Sequence, residues 1–146
     1  MLSEIQLNLN KYKPGSCLSI LTQEGNQELT WGIQKDNYPL MYEVRIEHLS
    51  LPYWNHLSDN RCLLEVSSFF IKNKEFKPFK VEKFALLGIF EKNNGFVLLT
   101  IPSRLGIRIQ TGDIRHPIII YSEFYLEFLK QNNVLNFLQK MSTKWL

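Results

Sequence analysis

The chain has 146 residues, of which 45% are hydrophobic and 21% charged, and its formal net charge is +3. These values are ordinary for a globular protein and exclude a chain that is disordered along most of its length. The length suits one domain, so we expect a single domain over residues 1–146. The mild positive charge permits contact with nucleic acid or with an acidic protein and favours neither strongly.

The cysteine content and the N-terminal residues bear on where the protein works. Cys17 and Cys62 do not make the dense disulfide framework of a small secreted domain. The first residues lack the basic region and the apolar stretch of a signal peptide. No apolar run approaches the roughly 20 residues that span a bilayer. We therefore expect a cytoplasmic protein with no membrane partner.

Short strands separated by turn residues are predicted in the first half of the chain. Apolar and polar residues alternate over Ile5–Leu9, and further strands are predicted at 17–22 and 28–34. The clearest alternation covers Tyr42–Leu49. One face of this predicted strand carries Tyr42, Val44, Ile46 and His48. Such a pattern is typical of a strand with one face buried and the other in water. The segment Arg61–Lys72 is also predicted to be a strand.

A central hairpin is the strongest local prediction. The segments Phe84–Phe90 and Phe96–Ile101 are almost wholly apolar, and Asn94-Gly95 between them suits the positive φ angles of a type I′ turn. Because neither segment has a polar face, we expect both faces of this hairpin to be covered by other parts of the chain.

Residues 104–120 are compatible with either of two structures. The alternation of apolar residues from Leu105 to Ile109, together with the β-branched content, favours a second hairpin whose returning arm covers 114–120. Pro117 favours an edge position for that arm, because proline cannot donate to a sheet hydrogen bond. A helix over this segment remains the alternative.

The C-terminal part of the chain changes to helical spacing. Ser122 can cap a helix in which apolar residues recur every three or four positions, among them Phe124, Phe128, Leu135 and Leu138. The predicted fold is therefore α+β. It combines a curved, mostly antiparallel β-sheet over about residues 5–120 with an α-helix over about 122–141 that packs on one face.

No local motif for catalysis, metal binding or nucleotide binding occurs in the sequence, so we predict no cofactor and no metal site. The chain lacks a nucleophile elbow, a P-loop, a dinucleotide fingerprint and paired CxxC motifs. An enzyme would have to assemble its site from separate segments, and the best candidates are His48 and His56 with Glu47 or Asp59. Glu47 and His48 would point to opposite faces of a regular strand, so this hypothesis ranks last.

A basic and aromatic stretch from Lys72 to Lys83 supports an alternative function. Its cations are Lys72, Lys74, Lys77, Lys80 and Lys83, and its rings include Phe76 and Phe79. Lysines that follow phosphates beside rings that stack on bases would suit single-stranded nucleic acid. The competing interpretation is an exposed loop and edge strand protected by lysines, with the phenylalanines in the core.

Two neighbouring aromatic residues are the candidate protein-binding site. Tyr53 and Trp54 lie in a polar segment, and tryptophan and tyrosine are enriched at the energetic centres of protein interfaces. The alternative is that Trp54 folds back on the core.

Parts of the sequence resemble SecB-type export chaperones. The resemblance covers several N-terminal strands followed by YEVRIEHLS at residues 42–50, GIFE at 88–91, and a proline-containing segment before a terminal helix. It implies a β-sheet protein that binds other polypeptides. The chain lacks the acidic balance of that family, and residues 104–110 have a strand-like pattern where the family has a long helix.

A non-catalytic protein-interaction module, such as an inhibitor, immunity factor, adaptor or chaperone, is the leading functional hypothesis. The abundant apolar and aromatic residues and the lack of catalytic motifs motivate it. Its partner would be another protein or a second copy of the chain. Nucleic-acid binding, a SecB-like chaperone and an enzyme without a local motif are the alternatives.

Overall fold

The computed structural model describes residues 2–78, 81–103 and 105–130. Within these ranges the strands are β1 (Leu2–Leu7), β2 (Asn10–Tyr12), β3 (Cys17–Thr22), β4 (Gly25–Thr30), β5 (Glu43–Arg45), β6 (Arg61–Val66), β7 (Ser68–Ile71), β8 (Lys74–Phe76), β9 (Phe84–Glu91), β10 (Gly95–Pro102), β11 (Arg115–Pro117) and β12 (Ile119–Ile120). The helices are α1 (Pro52–Asn55), α2 (Leu105–Thr111) and α3 (Tyr125–Lys130), with 3-10 helices at Ile46–Ser50 and Ser122–Phe124. In the described part of the chain, no helix is long and apolar enough to cross a membrane.

The strands form two sheets. The smaller has the order β2-β1-β7-β8, and the larger has the order β11-β10-β9-β6-β3-β4, with β12 beside β9 and β5 beside β10. Neighbouring described strands are antiparallel except for the parallel pair β5–β10. Trp31, directly after β4, forms a bridge to Phe96 of β10. This bridge brings one end of the larger sheet back against β10 and confirms the predicted curved, mostly antiparallel sheet.

The larger sheet is buried on both faces. One hydrophobic cluster includes Leu63 and Leu87 of the central strands and Phe128 of α3, so the C-terminal helix packs on that face as predicted. The opposite cluster includes Leu64 and Leu86 of the same strands and is covered by the smaller sheet. Successive side chains along β6 and β9 therefore point alternately into the two clusters. This explains why the sequences of these two strands are nearly continuously apolar.

The central hairpin is confirmed, but its predicted turn is wrong. Strands β9 and β10 pair in the expected region, with Gly95 opposite Glu91. The residue with a positive φ is Asn93, at 65°, and the Asn94 N–H donates to the Glu91 carbonyl. Gly95 serves a different purpose, because a Cβ there would lie 2.0 Å from the carbonyl oxygen of Gly32. The glycine permits close backbone approach and is not required by the turn.

The predicted strand Tyr42–Leu49 is largely wrong. Only Glu43–Arg45 forms a strand, and Ile46–Ser50 is a 3-10 helix. Ile46 and Leu49 are both buried, as expected for positions three apart in a 3-10 helix. His48, which was predicted to face the core, is exposed.

The first arm of the predicted second hairpin is a helix instead. Residues Leu105–Thr111 form α2, which resolves the alternative in favour of helix, while the returning arm is present as β11 and β12. β11 ends the strand order of the larger sheet, so Pro117 does occupy an edge strand.

Four further boundaries differ from the predictions. The segment Arg61–Lys72, predicted as one strand, forms β6 and β7, which pair in different sheets. The first strand is Leu2–Leu7, and Leu9 lies in the exposed turn that follows it. The strand predicted at 28–34 is β4, which ends at Thr30. Ser122 does not cap the terminal helix, because it lies within a 3-10 turn whose N-cap is Tyr121. The continuation of that helix to residue 141, including Leu135 and Leu138, falls outside the described residues.

Candidate interaction surface

Helix α2 is apolar on two opposite sides. Ile107 and Thr111 are buried, whereas Leu105 and Ile109 are 74% and 73% exposed. Because each pair is spaced four residues apart, each pair forms a stripe on the helix, and the two stripes lie on opposite sides. A surface helix of a globular protein ordinarily carries charged or polar residues opposite its buried stripe.

The local sequence holds α2 firmly in this orientation. Gly112 has a φ of 72°, and its N–H donates to the Arg108 carbonyl at 2.7 Å, which is the usual glycine-terminated helix end. The Thr111 hydroxyl donates to the Ile107 carbonyl at 2.8 Å. Ile107 packs into the cluster under the smaller sheet. The outward position of Leu105 and Ile109 is therefore a consequence of anchoring on the opposite side.

The chain after α2 carries a third exposed apolar residue. Ile114, 62% exposed, follows α2 and lines a cavity of about 510 Å³. We call Leu105, Ile109 and Ile114 the α2 surface, and we call this cavity the cleft. The residues that line the cleft include Glu43, Arg45, Lys72, Asp113, Arg115 and His116. Exposed apolar side chains and a concave site are both features of interaction surfaces.

Arg115 closes one side of the cleft in a fixed position. Its guanidinium donates to the Glu47 carboxylate at 2.9 Å, to the Thr100 carbonyl at 2.8 Å and to the Thr100 hydroxyl at 3.2 Å. The hydrogen bond from Arg115 lowers the pKa of the Glu47 carboxyl. These bonds connect the 3-10 helix Ile46–Ser50 to β11. This wall of the cleft is therefore formed without a ligand.

The exposed charges around the α2 surface are mainly positive. The exposed cations are Arg45 and Lys72 in the cleft, Arg108 on α2, and Lys74 on β8 near Gly112. The two carboxylates of the cleft are less accessible, because Asp113 is buried and Glu43 is half-buried. Glu75 on β8 is exposed as well and accepts a hydrogen bond from Ser68, so its charge offsets one of these cations. The rim of this surface therefore presents a positive potential to an approaching partner.

Burial raises the pKa of the Glu43 carboxyl, while the Leu2 N–H and the charge of Arg115 partly oppose the rise. A raised pKa means that Glu43 stabilises the fold at low pH and that this contribution is lost as the pH rises through the folded-state pKa. Glu43→Gln should therefore be more stable than the parent at pH 7, and the two should converge below about pH 4, where Glu is protonated in both states. Chemical denaturation across this pH range measures the difference.

Glu47→Gln is the matched control for Glu43→Gln. The pKa of Glu47 is lowered by its hydrogen bond from Arg115, so this variant should lose stability at pH 7 and approach the parent as the pH falls. If both glutamine variants shifted in the same direction at pH 7, the assignment of opposite environments would be wrong.

The residues predicted as a protein-binding site, Tyr53 and Trp54, are only half exposed. Both lie in α1 and pack against the cluster on the α3 side of the larger sheet. The Tyr53 ring lies 4.2 Å from the Lys35 ammonium, and its hydroxyl donates to Glu91 at 3.3 Å. Much of each side chain therefore contacts other parts of the protein. The role of Tyr53 and Trp54 in partner binding stays a prediction.

The predicted nucleic-acid stretch divides into exposed lysines and a buried ring. Lys72, Lys74, Lys77 and Lys83 are exposed, whereas Phe76 is buried against Phe69 and Phe84. Phe76 is therefore not placed to stack on a base, which agrees with the interpretation that the rings belong to the core. Phe79 and Lys80 lie outside the described residues. Phosphate contact by the lysines stays a prediction.

The residues considered for catalysis are not gathered at one site in the described structure. His48 and His56 are both exposed, and His56 lies near the Pro52 carbonyl. Glu47 is paired with Arg115, and Asp59 lies 4.0 Å from Arg61.

The α2 surface was missed because its residues were assigned to a strand. Under that assignment Leu105, Ile107 and Ile109 would share one buried face. One capping signal could have revealed the helix, because Gly112 is a residue type favoured directly after a helix. Even with the helix assigned, only its packing shows which apolar pair is left exposed.

Comparison with known proteins identifies the fold and no more. No protein-family model matches the chain, and no curated protein matches it significantly. A crystal structure of a protein from Bordetella bronchiseptica superposes with a TM-score of 0.71 at 9% identity, covering 92% of this chain and 90% of that protein. A protein from Bacteroides thetaiotaomicron has a TM-score of 0.65 at 14% identity, covering 84% of this chain and 67% of its own.

A third similar structure is that of a phage-related protein from Bordetella bronchiseptica. Its TM-score is 0.63 at 13% identity, with coverage of 87% of this chain and 72% of that protein. The three similarities show that this α+β fold also occurs in proteins from these two bacteria. At these identities they carry no information about activity.

Proposed function

We propose that this protein is a non-catalytic protein-interaction module that binds another polypeptide through the α2 surface. The observation that carries the proposal is the exposure of Leu105 and Ile109 on the side of α2 opposite its buried stripe. Transfer of a Leu or Ile side chain from water to an apolar contact contributes about 1.5–3 kcal/mol. A helix that places such side chains in an apolar groove of a partner is a recurring mode of peptide recognition.

The partner in this proposal is a polypeptide segment with apolar side chains flanked by carboxylates. Its apolar side chains would contact Leu105 and Ile109, and its carboxylates would meet the positive rim formed by Arg45, Lys72 and Arg108. A second copy of this chain would bring the same cations against this rim, and like charges at an interface are unfavourable. A heterologous partner is therefore favoured over self-association.

The resemblance to SecB-type chaperones is one specific form of this proposal. That layout calls for a helix in the region of residues 104–110, and α2 occupies Leu105–Thr111, although it is short. Its presence supports a polypeptide-binding role. The positive net charge of the chain still departs from that family.

A pair of defined peptides tests the proposal. We expect a fluorescent peptide of leucines flanked by glutamates to bind the parent more tightly than the same peptide with lysines in place of the glutamates. Raising the salt concentration should weaken this binding, because it screens the positive rim. Leu105→Asp together with Ile109→Asp should weaken binding of the glutamate peptide at least tenfold, as measured by fluorescence anisotropy.

Leu9→Asp is the matched control, because Leu9 is 95% exposed but lies in the β1–β2 turn. This variant should bind the glutamate peptide like the parent, and all variants should keep the parent melting temperature within a few degrees. Equal binding by the parent and the double variant would contradict the proposal. If the parent were a dimer and the double variant a monomer, the α2 surface would instead bind a second copy of this chain.

A further inference from the structure

A pocket of about 190 Å³ lies on the face of the larger sheet that α3 covers. Three strands build its floor in register: Leu21 of β3 is opposite Leu63 of β6 on one side and opposite Asn26 of β4 on the other. All three residues line the pocket, and Leu7 at the end of β1 adds another apolar side chain. The floor of this pocket is therefore mainly apolar.

Glu65 supplies the charge of the pocket. Residues two apart on a strand point to the same face, so Glu65 lies on the same face of β6 as Leu63. Glu65 is exposed, so its carboxylate is reached from solvent. The Tyr125 hydroxyl donates to Oε2 of Glu65 at 3.2 Å, and no other described residue donates to this side chain, so Oε1 remains available. Among the described residues that line the pocket, Glu65 alone is charged.

The residues around Glu65 favour a cationic ligand. Burial, and then the charge of Glu65, raise the pKa of the Tyr125 hydroxyl, so this hydroxyl keeps its proton and continues to orient Glu65. Glu28 of β4 is exposed and is opposite Ser19, which lines the pocket. Directly opposite residues place their side chains on the same face, so Glu28 adds a second negative charge beside the pocket. Both carboxylates attract a cation and repel an anion.

The size and shape of the pocket suit an ammonium group on a linear apolar chain. A water molecule occupies about 30 Å³ in the liquid, so the pocket has room for about six waters. Lysine carries a compact ammonium group on a four-carbon stem, and such stems lie along apolar surface while the charged end stays in a polar environment. The stem would lie on Leu21 and Leu63, and the ammonium group would reach Oε1 of Glu65.

A guanidinium group fits the same pocket less well. Its strongest pairing with a carboxylate uses both oxygens at once, and Oε2 of Glu65 already accepts the hydrogen bond from Tyr125. We propose that this pocket binds a primary ammonium group at the end of a linear alkyl chain, which is the chemistry of a lysine side chain. The site shares no residue with the α2 surface and does not depend on the function proposed for that surface.

Titration of the full chain with butylammonium chloride at pH 7 tests the site. In NMR spectra, the methyl resonances of Leu21 and Leu63 should shift and saturate, because the alkyl chain lies on these side chains. Ethylammonium should bind about fivefold more weakly, because it buries fewer methylene groups. Butanol, which lacks the charge, and butylguanidinium, which carries the planar group, should each bind more weakly than butylammonium.

Three variants separate the site from a general attraction of cations to the protein. Glu65→Gln keeps the size of the side chain but removes its charge, so butylammonium should bind about fivefold more weakly, the upper range for an exposed ion pair. Tyr125→Phe keeps the ring and removes the hydroxyl, and it should weaken binding less than Glu65→Gln. Asp36→Asn is the matched control, because Asp36 is exposed and does not line the pocket, and it should bind like the parent.

A blocked lysine, Nα-acetyl-lysine N-methylamide, distinguishes two sources of the ammonium group. If it binds at least as tightly as butylammonium, the site takes a lysine side chain of a polypeptide. If it binds more weakly, the ligand is a free alkylamine. Either result supports an ammonium site.

Three results would overturn the proposal. The first is the absence of a saturable shift of the Leu21 and Leu63 methyl resonances in butylammonium. The second is equal affinity of the parent and Glu65→Gln for butylammonium, with both melting temperatures alike. The third is binding of butanol or butylguanidinium that is as tight as that of butylammonium, which would remove the assignment to a primary ammonium group.

Discussion

Replacement of Phe84 by alanine should lower the free energy of unfolding by about 3–5 kcal/mol. Phe84 is fully buried at the start of β9. Its ring meets those of Phe69 and Phe76 edge-on, with centroid distances of 6.2 and 6.5 Å. Alanine would lose the burial of the ring and both aromatic contacts, and it would leave a cavity between the two sheets. Urea denaturation, followed by far-UV circular dichroism, measures the loss.

Two comparisons define this expectation. Phe84→Leu keeps most of the buried volume and should cost less than the alanine variant. Tyr38→Ala changes an aromatic residue that is 65% exposed and should alter stability by no more than about 0.5 kcal/mol. A loss below about 1 kcal/mol for Phe84→Ala would mean that the aromatic group does not form the contact between the sheets.

Gly95→Ala should destabilise the protein by at least about 2 kcal/mol. An alanine Cβ at this position would lie 2.0 Å from the Gly32 carbonyl oxygen and 2.7 Å from the Thr30 carbonyl oxygen. Both contacts involve backbone atoms, so no side-chain rotation can relieve them. The segment after β4 would have to move away from β10, and the bridge between Trp31 and Phe96 would be disturbed.

Gly106→Ala is the matched control for this substitution. Gly106 lies on exposed helix α2, and a Cβ there would meet nothing within 4 Å. Because alanine is the better helix former, this variant should gain about 0.5–1 kcal/mol. The same denaturation experiment measures both variants. Similar stabilities of Gly95→Ala and the parent would show that β10 and the segment after β4 are further apart than described.

Much of the fold could be predicted from local sequence. The strand at 17–22 and the central hairpin are present, because continuous or alternating apolar residues favour strands that other layers then cover. The segment Arg61–Lys72 is extended as predicted, but it forms two strands, β6 and β7, that pair in different sheets. The predictions failed where tertiary contacts end a strand early. At Ile46 the backbone leaves the short parallel pairing with β10 and turns into a 3-10 helix, a change that period-two alternation does not signal.

The candidate site was much less predictable than the fold. A strand pattern over residues 105–109 placed Leu105 and Ile109 in the core, whereas the helix leaves them in solvent. The residues selected from composition, Tyr53 and Trp54, instead pack partly against the core. Residue type shows only that a side chain can make apolar contacts. Whether it is exposed depends on which side of its helix or strand packs against the rest of the protein.

The sequence by itself determined the fold class, since the spacing of apolar residues sets the elements and the faces that they can bury. The tertiary structure alone decided three features: which stripe of α2 stays exposed, why Gly95 must lack a side chain, and how Glu65 and Tyr125 meet beside an apolar pocket. Each of these depends on contacts between segments far apart in the chain. The local pattern of apolar residues does not predict such contacts, because many different packing partners are compatible with the same apolar spacing.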